Sequence, residues 1–172
     1  MAKQWTNKWN EIRAHYDECG PEILAHRKDE WAIDPYAWDM GSGMIQMTPI
    51  ECNFWADARD AGAILYPQWP ACGYFLDFAN PVAMVAIECD GHAYHLDHEA
   101  DAKRQTKLEA AGWRIYRISG RECNMDYDEE THTESPGKQL IDRICADHGI
   151  KRVSAGWGEW ISYGCAVHPE DM

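Results

Sequence analysis

Residues 74–95 read YFLDFANPVAMVAIECDGHAYH, two apolar runs broken by Asn80-Pro81. The runs from Gly73 to Phe78 and from Val82 to Cys89 predict β-strands, with Asn80-Pro81 supplying the turn between them. A continuous apolar segment such as VAMVAI suits a strand covered on both faces, as in the interior of α/β sheets. Carboxylates at Asp77, Glu88 and Asp90 are out of keeping with that environment, and two adjacent strands would deliver all three to one edge of a sheet. Gly91 then lets the chain bend away.

Downstream, Ala100, Arg104, Leu108 and Ala111 recur at helical spacing within residues 99–111, and Gly112 stops the helix. Trp113 to Ile118 alternates in strand fashion, so strand, helix and strand form a crossover unit of an α/β domain. Between Asp101 and Arg121 stand Lys103, Arg104, Lys107, Arg114, Arg117 and Arg121, the one basic segment of an acidic chain. Residues 122–136 read as a solvated acidic loop, Lys138 to His148 as a short helix closed by Gly149, and residues 151–172 as a tail without a period.

Upstream, Thr48-Pro49-Ile50-Glu51 opens a helix: Thr as N-cap, Pro in the first turn and Glu completing a capping box. Capping alone accounts for Glu51. Pro67-Gln68-Trp69-Pro70 reads as a loop. Residues 1–45 form a Trp-rich arm in which Trp5, Trp9, Ile12, Arg13 and Tyr16 share a helical stripe, ending near Gly20-Pro21. Packing on the main domain is the expected use of that stripe, with base stacking the sharper alternative. Gly41-Ser42-Gly43 reads as a joint, which divides the chain into the arm, a core over residues 46–150 and the tail.

A chain of 172 residues suits one domain or two lobes. It has no apolar run near the length of a membrane span and no signal-like start, so a membrane-free, cytoplasmic protein is expected. Seven cysteines at wide spacing, without a C-x-x-C pair, predict reduced, mostly buried thiols. A net charge of −13 argues against non-specific coating of nucleic acid, so any such contact must be local.

Three carboxylates at strand ends repel one another and resist burial. A divalent cation resolves the conflict, and hard oxygen ligands with room for water and phosphate match Mg²⁺ or Mn²⁺ better than zinc. The basic segment could then hold a phosphodiester while the metal activates water. The residue pattern leaves open a plainer reading, an acidic loop that faces solvent.

The stretch from Thr48 to Cys123 resembles the PD-(D/E)XK nucleases, in the small branch akin to very-short-patch repair endonucleases. The likeness runs through TPIE at 48–51, Gln68, YFLDF at 74–78, AIECDGHAYH at 86–95, then Arg104, Leu108, Gly112-Trp113 and Arg117. It implies a restriction-endonuclease-like core, a central mixed β-sheet flanked by helices. Asp77 becomes the central metal ligand, with Glu88 and the Cys89 carbonyl beside it and Glu51 reaching the site through water. Gln68, Lys103, Arg104, Lys107 and Arg117 become candidate nucleic-acid contacts.

Asp90 departs from the pattern, standing where the superfamily's usual lysine would be. A carboxylate does not replace an ammonium group beside a phosphate. In the repair-endonuclease branch this lysine is also absent and histidines do part of the work, so the resemblance makes His95 the candidate general acid or base, a residue type whose pKa range suits proton transfer near neutrality. Repair endonucleases of this type carry a structural zinc. Only His92 and Cys123 stand near the matching places here, Asp97 and Glu99 taking positions where thiol or imidazole is wanted. Zinc is thus less expected than magnesium.

The resemblance implies a Mg²⁺-dependent endonuclease acting on duplex or single-stranded DNA. Alternatives are a non-catalytic binding module on the same fold and an acidic DNA-mimic inhibitor. Sequence specificity has no visible code. A monomer would nick and a symmetric dimer could cut both strands.

Overall fold

Four strands form one mixed sheet in the order β1-β2-β3-β4: β1 (Tyr66–Ala71), β2 (Tyr74–Asn80), β3 (Val85–Asp90) and β4 (Arg114–Ser119). The computed structural model describes residues 2–25, 47–91 and 98–150, with side chains from Lys8 in the first segment and from Glu99 in the third. Five helices accompany the sheet in these segments: α1 (Ala2–Ala25), α2 (Pro49–Asp60), α3 (His98–Ala110), α4 (Gly120–Cys123) and α5 (Pro136–His148). β1, β2 and β3 run antiparallel to their neighbours, whereas β4 lies parallel to β3. That parallel pair is the expected crossover, and the mixed sheet with flanking helices is the expected fold class.

Local signals account for most of these elements. The Thr48 side chain accepts from the Glu51 amide while Glu51 Oε2 accepts from the Thr48 amide at 2.9 Å, so the capping box at α2 is real. Asn80 turns the β2–β3 hairpin by accepting the Ala83 amide at 2.9 Å through its side chain and donating to the Ile64 carbonyl at 3.0 Å. Gly149 ends α5 in the left-handed conformation at φ 60°, which glycine adopts without cost from a Cβ.

Two expectations are corrected. The segment Pro67 to Pro70 is not a loop but the body of β1, paired with β2 over Tyr66–Ala71. Two prolines are tolerated because β1 is the edge of the sheet, where part of the ladder needs no donor. Helix α1 does not end near Gly20-Pro21 but continues to Ala25 with Pro21 inside it. Beyond the proline Ile23 is buried, and Gly20 lies close enough to the Trp69 ring that an added Cβ would sit 3.6 Å from it. Tertiary packing outweighs the lost helical hydrogen bond there.

The core lies between the sheet and helices α1, α2 and α5. Val85 to Cys89 of β3 are buried throughout, as a strand covered on both faces requires. Phe78 stacks on Trp55 at 5.4 Å and meets Phe54 at 5.2 Å, tying α2 to β2. The α1 stripe packs as expected: Ile12, Tyr16 and Ile23 join the same cluster, Tyr16 donates its hydroxyl to the Pro67 carbonyl, and Trp9 lies on Phe75 at 4.6 Å. The thiol expectation needs one amendment. Cys52 is disulfide-bonded, while Cys19, Cys72, Cys89, Cys123 and Cys145 are free.

Candidate functional site

The hairpin and the crossover converge on a cavity of about 640 Å³ whose lining includes Glu51, Asp77, Glu88, Cys89, Asp90, Arg104 and Arg117. α2 brings Glu51 from its first turn, β2 brings Asp77, and β3 ends in Glu88-Cys89-Asp90. The strand period explains the split within β3. Glu88 and Asp90 share a face, with Cys89 between them on the other.

Asp77 is pinned in place, its Oδ2 accepting from the Cys89 amide at 2.8 Å. Burial, then the charges of Glu88 and Glu51, push its carboxyl well above the usual carboxylate range, with the Cys89 amide and Arg104 opposing. Glu88 is buried, and burial raises its pKa against the pull of Arg104. Burial also raises Glu51, against the two bonds to Thr48 that lower it. Three carboxylates are thus held where their negative charge is under-solvated.

Two arginines of the basic segment turn inward to meet this charge. Arg104 Nη2 donates to Glu88 Oε1 at 2.7 Å and to the Phe75 carbonyl at 3.0 Å, with its guanidinium over the Tyr74 ring. Arg117 Nη1 contacts both Asp90 oxygens, at 3.1 and 3.3 Å. These side chains line the cavity as ion-pair partners of its acids, an arrangement that spacing along the sequence did not disclose. Lys107 lies over Tyr74 at 5.4 Å, while Lys103 is exposed and paired with Glu99 at 2.7 Å.

Gln68 also lines the cavity, buried and with a left-handed backbone at φ 51°. The β1–β2 register sets it across from Asp77, at a position the ladder skips. His92, His95 and Asp97 lie outside the described residues, so the general-base candidate and the zinc positions have no described geometry. Cys123 is buried and hydrogen-bonded to Cys89.

Among the described residues no three His, Cys, Asp or Glu side chains are grouped as a metal cage. The chemistry of the donor set nevertheless fits a hard divalent cation. Mg²⁺ is commonly held by one or two carboxylates with water and phosphate completing the octahedron, and here two under-solvated carboxylates adjoin a strand-end carbonyl.

Residues 53–134, just under half of this chain, match the family model REase_MTES_1575, a restriction-endonuclease-like family. The match includes Asp77, Glu88 and both arginines and begins just after Glu51. Over 73 residues, 42% of this chain, the sequence is 38% identical to the uncharacterised protein YcjD of Escherichia coli (strain K12). The match spans 61% of that relative's length. The structure is also similar, at a TM-score of 0.45 and 19% identity, to the catalytic domain of the homing endonuclease I-Bth0305I, over 59% of this chain and 98% of that one.

Proposed function

We propose that the protein is a Mg²⁺- or Mn²⁺-dependent endonuclease that hydrolyses phosphodiester bonds in DNA. The observation that carries this reading is the convergence of Asp77, Glu88 and the Cys89 backbone in one cavity with Glu51 and two arginines. In it, Asp77, Glu88 and the Cys89 carbonyl hold the cation. When bound, the metal lowers the pKa of a coordinated water and polarises the phosphoryl oxygens.

The chain's own residues do the rest. Glu51, its carboxyl raised by burial, orients water at the mouth of α2. Arg117 offers its guanidinium to a phosphate as the fixed cation that the superfamily's lysine otherwise supplies, Asp90 holding it at the rim. Arg104 opposes the burial that raises Glu88 and orients its carboxyl group. His95 is the proposed general acid or base.

Plasmid and single-stranded DNA incubated with Mg²⁺ or Mn²⁺ provide the test, with Asp77→Ala beside the wild type. Metal-dependent cleavage should fall by roughly 10²–10³-fold or more in the variant. Equal activity in the two proteins would sink the assignment.

The ion pairs themselves favour a second reading, a nuclease-fold binding module. Glu88 is already answered by Arg104 and Asp90 by Arg117, so the cavity has part of its charge balance without a metal. DNA binding with no cleavage under any divalent cation would select it.

A further inference from the structure

We propose that a second cavity, which shares Arg117 with the first, is a phosphate-binding subsite for the same DNA strand. The inference rests on the nuclease reading above and extends it to residues outside the basic segment. The cavity measures about 400 Å³, and Arg117 lines both it and the first. Its other polar walls are Arg143 and Gln139 of α5 and Glu122 of α4.

Charge and chemistry make this cavity suited to an anion. Two arginines and one glutamate line it in a protein whose net charge is −13, and Arg117 is also paired with Asp90. The carboxylate is engaged elsewhere: Glu122 Oε2 accepts from the Ser119 amide at 2.9 Å and the Ser119 hydroxyl at 2.6 Å in the cap of α4. Arg143 is exposed, and among the described residues it has no ion-pair or hydrogen-bond partner. Pro136, Gln139, Leu140 and Arg143 recur at helical spacing, so one face of α5 forms that wall of the cavity. Gln139 contributes less, since its amide nitrogen donates to the Glu134 carbonyl at 2.6 Å.

A strand whose scissile phosphate lies at Asp77 would pass Arg117 and present a neighbouring phosphate to Arg143. Two arginines on separate elements then fix the direction in which the strand crosses the sheet edge. Phosphate contacts of this kind set register and orientation without reading sequence.

Binding of a fluorescein-labelled single-stranded oligonucleotide, followed by anisotropy over a range of salt in EDTA, tests this without catalysis. Each lost phosphate contact should lower the slope of log affinity against log salt by about 0.7. Arg143→Ala should weaken binding several-fold and show that loss, Arg143→Lys should retain the slope, and Lys138→Ala on the same helix should behave as wild type. Melting curves confirm that each variant is folded.

An unchanged slope in Arg143→Ala, or oligonucleotide binding absent in the wild type, overturns the subsite. The nuclease reading fails separately. If wild type binds but never cleaves, while Arg143→Ala loses slope, the subsite stands and the catalysis does not.

Discussion

Asp77 shows how much one side chain determines. Its carboxyl is pushed up by burial and by Glu88 and Glu51, so in the metal-free fold it holds its proton to higher pH than in the unfolded chain. The stability this contributes is fully present below the unfolded pKa and is lost as pH rises through the folded one. Asp77→Asn, which can still accept the Cys89 amide, should therefore raise the metal-free melting temperature at pH 7 and flatten its decline with pH. Scanning calorimetry from pH 4 to 8 in EDTA would show it, and a lower melting point for the variant at pH 7 would contradict it. Glu51 is separable by the same means. Glu51→Gln keeps a capping box, because Gln serves at that position, and should cost less than ~0.5 kcal/mol on denaturant unfolding while cleavage falls at least tenfold. Glu51→Ala should lose both.

At the scale of elements, Arg104 joins α3 to both central strands through the Phe75 carbonyl and Glu88. Removing it strands a buried carboxylate, so Arg104→Ala should destabilise the fold by about 1–3 kcal/mol in urea titration. Lys103→Ala, on the same helix but in an exposed pair, should lie within ~0.5 kcal/mol of wild type. Phe78 holds α2 on β2 through Trp55 and Phe54, and Phe78→Ala should cost about 3–5 kcal/mol. The legibility of elements divides along the same physical line. α2, the β2–β3 hairpin and α5 were readable because caps, turns and apolar period act within a few residues of chain. β1 was not, since Pro67 and Pro70 carry loop signals that only an edge position neutralises.

For the molecule as a whole, the proposed metal site predicts that divalent cations stabilise the fold. A cation that binds the folded state alone adds about 2.7 kcal/mol at a concentration one hundred times its Kd. Mn²⁺ should therefore raise the wild-type melting temperature in a thermal-shift titration and leave that of Asp77→Asn nearly unchanged. An equal shift in both would place the binding elsewhere. Tight packing of α1 on β1 and β2, through Trp9, Tyr16 and Ile23, makes the N-terminal helix part of the same core as the sheet.

The amino-acid sequence by itself determined where the acids stand on their strands, the capping of α2, the crossover that sets β4 beside β3, and so the edge at which Asp77, Glu88 and Asp90 gather. These follow from period, turn chemistry and chirality, which are local or topological. Only the tertiary structure decided that Arg104 meets Glu88, that Arg117 meets Asp90 and stands between two cavities, that Arg143 of α5 reaches the second, and that α1 runs on past Pro21. Each depends on partners from 16 to 27 or more residues away, and a long charged side chain has no preferred direction until the fold supplies its counter-charge.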